Sequence, residues 1–308
     1  MLSELNNPRV RDLAWCLQSP SLLDHQALPD RVAAPARCQW LLDALKPHLY
    51  ALDQDPTELV DFLLRNPTRR VGRYFEQLIE YALTHAECPL LATNQQLHHG
   101  KRVIGELDYV FEHQTQLIHW ETALKFYLEH TDGQTLTDFV GPNAADNLGL
   151  KLDRILNHQL PMGQHPAALT ISGLQKRTMH SRAYVRGYLF YREPAVYAPA
   201  YPPPISPQHL RGWWRHAGEP IPQSAPDGRW YRLEKPYWLA PAQLAHASVD
   251  ETLTLPALDS TIQGHFARDA HPLLLAELQR QGDTWHEVSR GFIVAPTWPA
   301  RDDKSLRN

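Results

Sequence analysis

Two β-rich runs, residues 102–111 and 116–127, stand only four residues apart, and so short a connection leaves an antiparallel hairpin as the way to pair them. Residues His113 to Thr115 suit its turn. Read as a strand, the second run puts His119, Glu121, Ala123, Lys125 and Tyr127 on one face and Ile118, Trp120, Thr122, Leu124 and Phe126 on the other. One face is core and the other carries charge. Glu106 and Asp108 likewise share a face of the first run, so the hairpin brings Asp108 and Glu121 together at one edge of a sheet. Like charges placed side by side repel unless something positive sits between them.

A divalent cation is the natural mediator. Two carboxylates and a backbone carbonyl, that of Thr122, are hard oxygen donors of the kind Mg²⁺ or Mn²⁺ takes, and they leave coordination positions for water and a phosphate. That is the inner shell of a metal-dependent phosphodiesterase.

The flanking sequence supplies helices. Val10, Leu13, Ala14 and Leu17, then Trp40, Leu41, Ala44 and Leu45, recur at the spacing of one apolar helical face. Asp55, Pro56 and Glu58 form a start signal for a third helix. A fourth, from Arg69 to His85, buries Val71, Phe75, Leu78, Ile79 and Ala82 and sets Arg73, Glu76 and Glu80 on its flank and outer side. After the hairpin a helix is expected from Ala144 to Gln159 with Asn143 as cap, then strands at 167–172 and 183–191. Eleven of the 26 prolines fall between Pro194 and Pro241, so regular structure is expected to be sparse there. A final helix at 271–281 and a strand at 291–296 complete the expectation.

Composition bounds the rest. With 308 residues, 43% of them hydrophobic, the chain can bury a large core. Its three cysteines form no CxxC pair, which excludes a disulfide framework and an all-cysteine zinc site. No stretch has the length of a signal-peptide core or of a bilayer span, so a soluble, cytoplasmic protein without a membrane partner is expected. A net charge of -4 excludes bulk-charge binding of nucleic acid but not a local basic groove. Two mixtures of cations and rings could carry a phosphate backbone: Lys176, Arg177, Arg182 and Arg186, and Arg211, Trp213, Trp214, Arg215, Arg229, Trp230, Tyr231, Arg232 and Lys235.

The order of helix 69–85, strands, helix 144–159 and further strands, with acids on the hairpin and the opening Gly105-Glu106-Leu107-Asp108, resembles the PD-(D/E)XK nuclease superfamily. That resemblance implies an α/β fold whose core is helix, three-strand meander, helix and strand. It also implies that Glu76 on the first helix approaches the metal held by Asp108, Glu121 and Thr122. The superfamily usually has Glu-x-Lys, whereas position 123 is alanine and the lysine comes at Lys125. Lys151, on the following helix, is the substitute the resemblance offers. The chain also resembles, almost end to end, an uncharacterised bacterial family catalogued as domain of unknown function 1853. The segments that carry this are Arg11 to Trp15 with Ser19 to Leu23, Gly72 to Glu76, Gly105 to Asp108, Trp120 to Leu128, Gly141 to Asn143 and Trp238 to Ala242.

The expected organisation is a helical N-terminal extension over 1–68, a nuclease-like α/β core over 69–192, and a proline-rich loop with a C-terminal extension over 193–308. The expected function is a Mg²⁺- or Mn²⁺-dependent hydrolase of nucleic acid, DNA before RNA. Glu76, Asp108, Glu121, Lys125 and Lys151 are its catalytic candidates. Arg182 and Arg186 are expected to point to the acidic mouth, with Arg211, Arg215 and Arg232 making contact farther out. The alternative is a non-catalytic nucleic-acid or protein binding module on a degenerate nuclease fold, which the missing Glu-x-Lys favours.

Overall fold

The computed structural model of the protein describes residues 1–86, 88–171, 174, 177–192, 201–225 and 227–299. The chain is mixed α/β and divides into two compact units, Met1–Lys125 with Leu150–Gly187 and Pro203–His209, and Phe126–Gly149 with Tyr188–Pro202 and Leu210–Asn308. No helix among the described residues is long and apolar enough to cross a membrane.

The first unit opens with α1 (Pro8–Gln18), α2 (Pro35–Gln54), α3 (Thr57–Leu64) and α4 (Val71–His85). Asn7 caps α1 by accepting from the backbone N–H groups of Arg9 and Val10, with Pro8 at the first turn where no N–H is needed. Asp55 acts at the head of α3, taking the Thr57 N–H at 3.1 Å. α4 buries Phe75, Leu78, Ile79 and Ala82 of the stripe its periodicity foretells, together with Tyr74 and Tyr81, while Val71 at its first turn is only half-buried.

Next comes an antiparallel meander of β1 (Leu90–His99), β2 (Arg102–His113) and β3 (Gln116–Glu129). The hairpin is present, in register from Tyr109 opposite Trp120 to His113 opposite Gln116. Sequence reading gives no strand at 90–99, because β1 is an edge strand with a polar, largely exposed run at its centre.

The expected helix over 144–159 is shorter at its start. Ala144 has φ 51°, outside helical geometry, so α5 begins at Leu148 and runs to Asp153, and Asn143 does not cap it. It continues as a π-helical turn over Arg154–Gln159 and a 3₁₀ turn over Leu160–Gln164. The strand expected at 167–172 is instead a 3₁₀ turn over Ala168–Thr170, with Ser172 outside the described residues. Its Ala168 packs with Leu97, Leu107, Val110 and Leu174, an apolar cluster that holds the segment against the sheet.

β5 (Met179–Tyr191) lies beside β3. One face meets the N-terminal helices: Tyr184 stacks on Trp120 at 4.5 Å and donates its hydroxyl to the Cys16 carbonyl of α1. On the other face the Ser181 hydroxyl meets His119 Nδ1 at 3.0 Å.

The second unit contains β4 (Phe139–Val140), β6 (Leu210–His216), β7 (Arg229–Leu233), β8 (Gln243–Ala245), α6 (Leu255–Phe266), β9 (Leu273–Gln281) and β10 (Thr284–Val294). β6 runs parallel to the end of β5 and to β10, while β9 is antiparallel to β10 and β7. The helix expected at 271–281 is therefore a strand. Leu273 to Leu278 are all buried, which suits a central strand covered on both faces better than a one-sided helix. The proline-rich stretch holds β6 and β7, although its residues 193–200 lie outside the described residues. Trp213 and Trp230 from these strands meet Leu258 and Ile262 of α6 in a buried cluster.

Candidate functional site

The ladder between β2 and β3 ends at the pair Tyr109–Trp120, and just beyond it the Asp108 side chain takes the place of a backbone acceptor. Its Oδ2 accepts the Thr122 N–H at 2.8 Å and the Thr122 hydroxyl at 3.2 Å. This carboxylate fills the fork where the two strands part. Glu121, only 1% exposed, comes from the next residue of β3, on the strand face that also carries His119. Gln159, at the end of the π-helical turn, donates its side-chain amide to Glu121 Oε1. His119 Nε2 lies 3.4 Å from Glu121 Oε2.

Burial and mutual repulsion govern the electrostatics of the fork. Burial, then the neighbouring Glu121, push the Asp108 carboxyl up to about 7, against the pull of the Thr122 N–H. Burial, then Glu106 and Glu76, push Glu121 up to about 8, while Arg154 and a hydrogen bond with Asp108 pull it back. Each carboxyl group thus feels the other, and the two titrate as a coupled pair. Burial pushes His119 down to about 4 against the pull of Asp108, so it offsets the carboxyl groups only weakly.

The sequence candidates are only partly gathered here. Asp108, Glu121 and Thr122 form the fork. Glu76 acts on both carboxylates electrostatically, its backbone oxygen accepts the Tyr109 hydroxyl at 2.8 Å, and its side chain pairs with Arg73 at 2.9 Å. Among the described residues, Glu76, Asp108 and Glu121 do not form a group whose ligand atoms all lie within 4.8 Å of one another. His48, Glu58 and His85 do, and there the ring nitrogens are already engaged: His48 Nε2 meets the Tyr81 hydroxyl at 2.9 Å, and His85 meets Glu58 and the Tyr81 carbonyl, both at 2.8 Å. Lys125 follows Glu121 on the same strand face, and Lys151 lies on α5 one helical turn before Arg154.

Arg182 and Arg186 do not point to the mouth. They alternate with Ser181 on β5, and it is Ser181 that faces His119, whereas Arg186 lies 4.0 Å over the Tyr184 ring on the helical side. Arg182 pairs with Asp30 at 3.1 Å. Arg211, Arg215 and Arg232 belong to the second unit. Arg211 lies over Tyr201, Arg215 donates to the Trp214 carbonyl and Arg232 pairs with Glu234.

Sequence reasoning missed Gln159 and Arg154 as partners of Glu121. The two sit five positions apart, a spacing that an ordinary α-helix sets on different faces and a π-helical turn draws closer together. His119 was legible as a face-mate of Glu121, but its neutrality follows from burial.

A family model described as a domain of unknown function, DUF1853, matches residues 11–294. No curated protein and no solved structure matches the chain.

Proposed function

Since the chain belongs to the DUF1853 family, whose description assigns no activity, we propose its function from the acidic fork: metal-dependent hydrolysis of nucleic-acid phosphodiesters, with DNA as the expected substrate. The observation that carries this reading is the pair of buried carboxyl groups on adjacent strands, Asp108 bonded to the N–H of Thr122 and Glu121 the residue before it, both raised toward neutrality. A divalent cation would displace the protons these raised carboxyl groups hold and be bound by oxygen donors alone, which fits Mg²⁺ or Mn²⁺.

Asp108 and Glu121 would be the direct ligands, with the Thr122 carbonyl beside them and Glu76 acting from α4 on a coordinated water. When bound, the ion would acidify that water and draw charge from the phosphate. The protein's own contribution is orientation. Gln159 fixes the plane of the Glu121 carboxylate, and Thr122 fixes that of Asp108. Arg154 supplies positive charge from the π-helical turn, a role the superfamily pattern gives to a lysine at the alanine position 123; Lys125 and Lys151 are the further candidates to steady the phosphate. The order α4, β1 to β3, α5, β5 also supports the nuclease resemblance.

Calorimetric titration with Mn²⁺, followed by a plasmid-cleavage assay in Mg²⁺, tests this. The wild type is expected to bind Mn²⁺ and cleave, and Asp108→Asn to lose at least about tenfold in metal affinity, the scale of one lost ligand or its orienting partner. Absence of binding by the wild type sinks the metal reading. Binding without cleavage of DNA or RNA favours the non-catalytic module, for which Ala123 already speaks.

A further inference from the structure

We infer that a pocket on the helical side of the first unit's sheet binds a small organic carboxylate through the Arg186 guanidinium. The pocket, of about 330 Å³, is walled by the end of α1 and the turn after it, the start of α2, and residues 206–208. Arg186 enters it from β5, is only 3% exposed, and leaves its Nε and Nη1 without a hydrogen-bond partner. Among the described residues no carboxylate forms an ion pair with it. Stacking on the Tyr184 ring fixes the guanidinium plane.

The rest of the lining is rich in donors. Ser19 is 6% exposed and its hydroxyl also has no partner. Ser21 Oγ accepts the Leu23 N–H and Ser206 Oγ accepts the Gln208 N–H, both at 3.2 Å, so each hydroxyl keeps its own proton to give away. A buried cation ringed by unused donors is costly unless an anion completes it. The protein shows what a purely structural buried arginine needs: Arg290 gives its nitrogens to Glu287 and to the carbonyls of Trp238 and Ala240. Arg186 has no such set.

Charge and shape select the anion. Asp24 in the lining forms no ion pair with Arg186 and instead accepts the exposed Gln26 N–H at 2.8 Å, so the single guanidinium charge is matched by a monoanion, where a phosphate near charge -2 would overload the site. Leu17, Leu23, Pro35 and Leu42 offer wall for a short hydrocarbon body. Cys38 is a passive neighbour, since burial pushes its thiol up to about 11 and keeps it from being a nucleophile at neutral pH. The pocket lies on the opposite sheet face from His119 and Glu121 and is lined by neither Asp108 nor Glu121, so it stands independently of the proposed hydrolase.

Full-length protein titrated with sodium butyrate, and separately with butyramide, sodium chloride and inorganic phosphate at matched ionic strength, tests the proposal by calorimetry and thermal unfolding. Butyrate is expected to bind saturably and raise Tm, while butyramide and chloride do neither. Arg186→Gln should weaken butyrate by about tenfold or more, and Ser19→Ala by several-fold, as expected for lost hydrogen bonds to a charged ligand. If Arg186→Gln does not fold, Ser19→Ala and Arg186→Lys decide. The inference is overturned if no butyrate binds, if butyramide binds equally well, if phosphate binds in its place, or if Ser19→Ala leaves butyrate affinity unchanged.

Discussion

At the scale of single residues, the fork makes an unusual demand on pH. Asp108 and Glu121 hold their protons more tightly folded than unfolded, so their contribution to stability is complete below their ordinary range near pH 4 and is lost as pH rises through about 7 and 8. His119, depressed to about 4, acts oppositely, but only below its unfolded value near 6.5. Between pH 6.5 and 8 the carboxyl pair lowers stability as pH rises, while His119 adds no opposing change. Tm without divalent ions is therefore expected to fall across that window, by an amount on the order of a few kcal/mol of stability for the pair. Glu121→Gln should flatten the fall, and Mg²⁺ should raise Tm more at pH 8 than at pH 6; a flat wild-type profile by differential scanning calorimetry would falsify the assignment. Gly187 is a second residue under constraint. It sits at φ 140°, and an added Cβ would lie 1.8 Å from the Lys125 carbonyl oxygen of the neighbouring strand. Gly187→Ala is expected to cost more than about 3 kcal/mol in urea unfolding. Alternation alone made Asp108 and Glu121 readable as neighbours. The same alternation put Arg182 and Arg186 on one face of β5, but which face meets the acids depends on how β5 lies against β3, and no local pattern carries that.

At the scale of elements, the misread segment 271–281 shows where local pattern stops. Leu273 to Leu278 contains good helix formers, and only neighbours on both sides make it a strand. Glu277 in its middle is fully buried, yet it accepts the Ser224 N–H at 2.7 Å, the Ala225 N–H at 2.8 Å and the Ser289 hydroxyl at 2.8 Å. That bonding ties a loop to two strands of the second unit. Glu277→Ala, which strips partners from buried amides, should cost about 3–5 kcal/mol in chemical denaturation, whereas a change below about 1 kcal/mol would mean that water replaces the carboxylate. Helices α1 to α4 were legible because each has an apolar stripe and most have a capping residue or proline at the start. β1 was not, since an edge strand lacks the alternation that burial on one face imposes.

At the scale of the whole molecule, a chain of net charge -4 must hold a polyanion against its own field if the proposed hydrolysis is right. The metal offsets part of the repulsion at the fork, and the remainder has to come from cations on the same side. Arg154 lowers the Glu121 carboxyl electrostatically, and Lys151 stands one turn before it, so these two are the residues placed to meet phosphates beside the scissile one. Each phosphate contact on duplex DNA contributes about 0.9 to the slope of log affinity against log salt. Lys151→Ala with Arg154→Ala should therefore reduce that slope by nearly two, measured by fluorescence anisotropy in Ca²⁺ to hold cleavage off. Arg182→Ala, on the opposite face and paired with Asp30, should leave the slope unchanged. A slope that responds to Arg182 and ignores Lys151 and Arg154 would move the nucleic acid to the helical face, away from Asp108 and Glu121, and the acidic fork would then need a different substrate.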